Sequence, residues 1–138
     1  MLKKIIFLLS LSFPLLPVLA QQYNPDKISS GARKLYQQAM QAAEDGNFPE
    51  GIRLLQEAVK PDPGFADAWL SIAGMFGEMK NYEQSVLNYE KARDIDSVYF
   101  RDYNLPYSIN LAGLGRFEEA LKAVNRFMTI NDLNESSQ

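Results

Sequence analysis

The chain repeats itself at a fixed interval. Setting Ala32 over Ala66 brings Gly46-Asn47-Phe48 over Lys80-Asn81-Tyr82, Leu55 over Tyr89 and Ala58 over Ala92, an offset of 34 residues. Moving on by 35 brings Gly115-Arg116-Phe117 into the same columns. A period of this length constrains the fold more than any single motif, because each copy must be one structural unit that stacks on its neighbour. In the middle copy Trp69, Ile72, Ala73 and Phe76 follow one another at spacings of three and four, and so do Tyr82, Ser85, Val86, Tyr89 and Ala92. Such spacing places side chains on one face of a helix. The first copy gives Leu35, Ala39 and Ala42, then Phe48, Ile52, Leu55 and Val59; the third gives Tyr107 and Leu111, then Phe117, Ala120, Leu121, Val124 and Phe127. Each copy is therefore expected to be a pair of short helices, and the fold all-α. Helices of this length do not persist singly in water, so the apolar stripes must pack within and between pairs.

The punctuation between stripes agrees. Gly46 and Gly115 supply a backbone free to turn sharply between paired helices, with Met79-Lys80-Asn81 in the same place in the middle copy. Asp62-Pro63 reads as a capping carboxylate followed by a first-turn proline, and Pro49 marks the start of the second helix of the first copy. Pro106 is tolerated only in a first turn, so its helix is expected to begin no earlier than about Asp102, capped by Asp102 or Asn104. The copies are read as residues 32–65, 66–100 and 101–131, preceded by a linker over 21–31 and followed by a polar tail over 132–138. After Ile130 too little chain remains for a capping helix of ordinary length. Leu121, Val124, Phe127, Met128 and Ile130 are therefore expected to leave apolar surface for a partner, for self-association or for further domains.

The recurring columns resemble the tetratricopeptide repeat (TPR). Matching positions are Trp69, Ile72, Ala73, Phe76, Tyr82, Ser85, Tyr89 and Ala92 in the middle copy. In the first they are Phe48, Gly51, Leu55, Ala58 and Pro63, and in the third Gly115, Phe117, Ala120 and Val124. Gln38 departs at a column usually apolar, Ser97 replaces a closing proline and Phe127 stands where alanine is usual. The resemblance implies a right-handed superhelical array of three antiparallel helix pairs, with Trp69, Ala73, Phe76, Tyr82, Tyr89, Ala92, Gly115, Phe117 and Ala120 as its structural core. It also implies a concave groove lined by the first helix of each pair. Carried over by column, that groove holds Arg33, Tyr36, Gln37, Met40 and Ala43, then Asp67, Leu70, Ser71, Gly74 and Gly77, then Leu105, Ile109 and Ala112. Arg33 is the only basic residue among them, so the basic clamp some family members place on a peptide carboxylate is missing. The expected ligand is an apolar peptide segment meeting Tyr36, Met40, Leu70 and Ile109.

Composition narrows the chemistry. With no His and no Cys the chain has no imidazole or thiolate to offer a catalytic triad, a zinc site or a disulfide. The acidic doublets Glu44-Asp45 and Glu118-Glu119 point about 100° apart on a helix and do not converge on one substrate atom. No enzyme and no cofactor is expected. A net charge of −3 provides no basic field for nucleic acid.

At the N-terminus, Lys3-Lys4 precede an apolar run from Ile5 to Leu19 that closes on Ala20. This is the pattern of a secretory signal peptide over residues 1–20. The run carries Pro14 and Pro17 and is shorter than the ~20 residues of a membrane span, so no transmembrane anchor is expected after cleavage. A leader followed by three such repeats is similar to the N-terminal part of Bacteroidota envelope proteins in which the repeats precede a β-propeller and an OmpA-like domain. The expectation is a periplasmic scaffold for protein–protein interaction in envelope assembly or secretion. The alternative is a periplasmic carrier of lipid or peptidoglycan fragments.

Overall fold

Three turns of one shape divide the chain into helix pairs. Gly46, Lys80 and Gly115 have φ of 75°, 59° and 76°, in the left-handed region that disfavours a Cβ. The computed structural model describes residues 22–135, and the leader read over residues 1–20 lies outside them. Helices α1 (Ser30–Glu44) and α2 (Phe48–Ala58) form the first pair, α3 (Ala66–Glu78) and α4 (Tyr82–Ile95) the second, α5 (Asn104–Gly113) and α6 (Phe117–Glu135) the third. Short 3-10 turns cover Pro25–Lys27 and Tyr99–Tyr103. All described regular structure is helical, as the periodicity requires.

Local chemistry sets the helix starts. The side chains of Asn47 and Asn81 accept hydrogen bonds from the N–H groups of Glu50 and Gln84, capping α2 and α4 in the same column. Arg116 holds that column in the third copy and instead grips Glu119 through two hydrogen bonds of 2.6 and 2.8 Å. Two expected caps are corrected. Asp62 does not cap α3, whose N-cap is Phe65; it accepts a 2.5 Å hydrogen bond from Ser29 Oγ and so ties the start of α1 to the α2–α3 loop. The third pair begins at Asn104 with Tyr103 as N-cap, and neither Asp102 nor Asn104 caps it by side chain. Pro106 does fall in the first turn. The residues ahead of it are spent on the Tyr99–Tyr103 turn, which the sequence pattern did not separate from the helix.

Two apolar clusters hold the array. One joins α1, α2 and α3 around Ala39, Leu55, Ala58, Phe65, Ile72 and Met75; the other joins α3 through α6 around Leu70, Ala73, Val86, Tyr89, Phe100 and Leu111. Trp69 packs against both and so links them. Small residues sit where paired helices cross. Ser85, fully buried, donates its hydroxyl to the Ala73 carbonyl at 2.8 Å, and a Cβ on Gly51 would come within 2.9 Å of Met75 Sδ. Helix α6 runs to Glu135, into the stretch read as a polar tail. Among the described residues no helix is long and apolar enough to cross a membrane.

Candidate functional site

The first helices α1, α3 and α5 carry the residues assigned to a groove, but the structure does not leave them equally available. Tyr36, Met40, Ser71 and Gly74 are half-buried and lie together: Ser71 Oγ is 3.3 Å from Tyr36 Oη and 3.9 Å from Met40 Sδ, while Tyr36 stacks on Phe65 with ring centroids 5.2 Å apart. Arg33 and Gln37 face solvent beside them. Leu70 is a correction. It is only 5% exposed and belongs to the buried cluster with Ala73, Val86, Phe100 and Tyr107. A residue so enclosed makes no ligand contact. Leu105 and Ile109 of α5 are exposed. Between α3 and α5 a hollow of about 320 Å³ remains open, lined by Gly74, Gly77, Tyr82, Ile109 and Asn110 among others.

Asp67 is also engaged from within. The hydroxyls of Tyr23 and Tyr99 both donate to its carboxylate, Tyr23 at 2.8 Å, and the two rings meet edge to face at 4.8 Å. Burial, together with the Asp67 carboxylate, pushes both hydroxyls well above the ordinary tyrosine range. Tyr23 is held a second time by its backbone N–H, which donates to Asp96 Oδ2 at 2.8 Å. The other oxygen of Asp96 accepts from the N–H groups of Val98 and Tyr99, and these donors lower its pKa. Tyr23, Tyr99 and Tyr103 lie outside the columns that named the groove, so the repeat pattern missed them. The Asp96-Ser97-Val98 turn, an aspartate able to accept from the backbone two residues on, was their one local signal.

The two ends of the array differ in kind. In the second and third pairs, Ala68, Ile72, Met75 and Tyr103, Tyr107, Asn110 face the preceding pair and are at least half-buried. The first pair has Lys34, Gln38 and Gln41 at those columns, all exposed. At the other end the pattern is reversed. Phe48, Ile52 and Leu55 of α2 and Tyr82, Val86 and Tyr89 of α4 are covered in whole or part. The same columns of α6 hold Phe117, Leu121 and Val124, of which Phe117 is 69% and Leu121 61% exposed. Phe117 thus stands outside the core to which its column assigned it.

No family model matches the chain. A curated relative, a TPR repeat-containing protein of Rhizobium etli, is 27% identical over 135 residues; the alignment takes in 87% of this chain and 66% of the relative's length. The second TPR of Spaghetti bound to an HSP90 peptide superposes with a TM-score of 0.69 at 15% identity, covering 72% of this chain and 92% of that one. MamA gives 0.68 at 19% identity, with 77% and 57% covered. The Yersinia enterocolitica type III secretion translocator chaperone SycD gives 0.66 at 17%, with 75% and 77% covered. The fold is that of the tetratricopeptide repeat.

Within this TPR array the remaining core assignments fall as follows. Ala73, Tyr89, Ala92 and Ala120 are buried, and Trp69, Phe76 and Tyr82 are half-buried at junctions between pairs. Burial pushes the Tyr89 hydroxyl up to about 12. Gly115 is an exposed turn residue. Tyr82 sits where the next pair arrives: a Cβ on Gly113 would lie 2.6 Å from its ring, so only glycine permits that approach. Phe117 occupies the column of Tyr82 with no described helix set against it. Ala123, 1% exposed, was missed as a core residue. A TPR helix has one apolar face for its partner and another for the next pair, and periodicity alone does not say which is covered.

Proposed function

We propose that the chain is an exported scaffold that holds another polypeptide on the apolar end of its TPR array, in the bacterial cell envelope. One observation carries this reading. Columns that are apolar and covered in the first two pairs remain apolar in the third, where Phe117 and Leu121 are exposed, while the opposite end carries Lys34, Gln38 and Gln41. Burying an apolar side chain of this size is worth roughly 1.5–3 kcal/mol, so such a face favours a covering partner. The open part of the groove, from Gly74 to Ile109, is a second contact zone. Structurally similar TPR proteins include one solved with a bound peptide and one that is a secretion chaperone, which supports a polypeptide as the class of ligand. The leader at Met1–Ala20 supports export.

Light scattering on the purified chain tests the covered face. The parent should associate, or bind a hydrophobic dye, and the double variant Phe117→Ser/Leu121→Ser should be a dye-free monomer with an unchanged melting temperature. A parent that is itself a dye-free monomer sinks the reading. Export is tested by fractionating the native host: the chain should lack its first twenty residues and stay out of the cytoplasm, and an intact N-terminus in the cytoplasm would overturn it.

A further inference from the structure

In the middle copy the Trp69 ring is held in a defined socket. Its indole N–H donates to the Pro63 carbonyl at 2.9 Å, and Lys91 Nζ stands 4.3 Å from the ring centroid. Thirty-five residues on, Arg126 stands for Lys91 and Asn104 for Trp69, and the loop ahead of them carries Ser97, 34 residues after Pro63. Asn104 does not fill the socket. Its side chain turns back to donate to the Arg101 carbonyl at 2.8 Å, and the residue is buried. What remains is a cavity of about 480 Å³, open to solvent on one side, lined by Ser97, Phe100, Asn104, Arg126 and neighbouring residues of α4 and α6. Phe100, 2% exposed, contributes an apolar wall.

We propose that this cavity receives the side chain of a tryptophan carried by a partner polypeptide. The middle copy shows an indole held in this setting, and the third copy keeps the cation and an apolar wall but lacks the ring. A cation stands at the column of Lys91, where it can lie over a ring face. Ser97 lines the cavity at its mouth, and the Phe100 ring closes the far side. Arg93 and Arg101 also line the cavity, so the rim is cationic and favours acidic residues beside the tryptophan. A second copy of this chain is a poor source, since its one tryptophan, Trp69, is already seated in its own socket. The cavity lies between α4, the Tyr99–Tyr103 turn and α6, and the inference stands independently of the exposed columns of α6.

The test is an NMR titration of the ¹⁵N-labelled chain with three blocked tripeptides: tryptophan between two glycines, two glutamates or two lysines. The amides of Asn125, Arg126 and Thr129 should shift, with the glutamate-flanked peptide tightest and the lysine-flanked one weakest. Arg126→Ala should weaken binding about threefold, as expected for one cation over an aromatic face. Asn104→Trp should fill the socket from within, abolishing binding and raising the melting temperature. If that variant does not fold, Asn104→Leu, which restores the residue type of Leu35 in the first copy, should still weaken binding. No shift at these amides with any peptide, equal shifts from a leucine-centred control, or binding untouched by either Asn104 variant would overturn the proposal. Tighter binding of free indole-3-acetate than of the glutamate-flanked peptide would assign the cavity to a small molecule and overturn the partner.

Discussion

Lys80 holds a φ of 59° at the column where both other copies place glycine. A left-handed backbone costs a residue with a Cβ about 1–2 kcal/mol, and glycine gives back part of that through the freedom it loses on folding. Lys80→Gly should therefore stabilise the chain by about 0.5–1 kcal/mol, and Gly46→Ala or Gly115→Ala should cost about 1 kcal/mol. Urea midpoints read all three, and an unmoved midpoint for Lys80→Gly would mean that its side chain makes an offsetting contribution. Leu70 teaches a second lesson at this scale. Its column was assigned to a groove, but it is buried in the cluster that includes Phe100, so Leu70→Arg places a charge in the core. It should unfold the array, as buried unpaired charges do, whereas Ile109→Arg, at 61% exposure, should leave the melting temperature within a few degrees. Circular dichroism melts separate the two.

At the scale of elements, the Tyr99–Tyr103 turn and the segment at Tyr23 are tied to α3 and to the end of α4 through Asp67 and Asp96. The hydroxyls of Tyr23 and Tyr99 keep their protons to higher pH in the folded chain than the value of about 10 they have when unfolded. The unfolded chain thus loses these protons first. Their contribution is fully present below about pH 10 and declines as pH rises beyond it. Tyr23→Phe/Tyr99→Phe should be less stable than the parent at pH 8 and should lose stability less steeply above pH 10. Equal slopes for parent and variant would refute the linkage.

These elements also show the limit of what the sequence disclosed. The three pairs and their turns follow from spacing and residue type, because a helix repeats its environment every three to four residues. The first-helix columns were legible, but the side chains that engage Asp67 come from Tyr23 and Tyr99, across 44 and 32 residues outside the period. The socket beside Arg126 was present in the sequence as the substitution of Asn104 for Trp69. Only the Trp69 contacts reveal that this substitution leaves a space.

For the whole molecule, the main packing runs between neighbouring pairs, so stability is approximately a sum of pair and interface contributions along one axis. The middle pair is packed on both sides, and Trp69 joins the two clusters. The third pair has a neighbour on one side and exposed apolar columns on the other. Opening should therefore begin at α6 and reach α3 and α4 last. Hydrogen exchange followed by mass spectrometry should give α6 the fastest exchange among the helices of the second and third pairs. A ligand on its exposed columns should slow α6 first, by the factor set through its concentration and affinity. Phe117→Ser/Leu121→Ser should remove that ligand-dependent slowing without changing the order of opening. If α6 and α3 exchange at one common rate, the array opens as a single unit. In that case the exposed columns of the third pair are not its weak end.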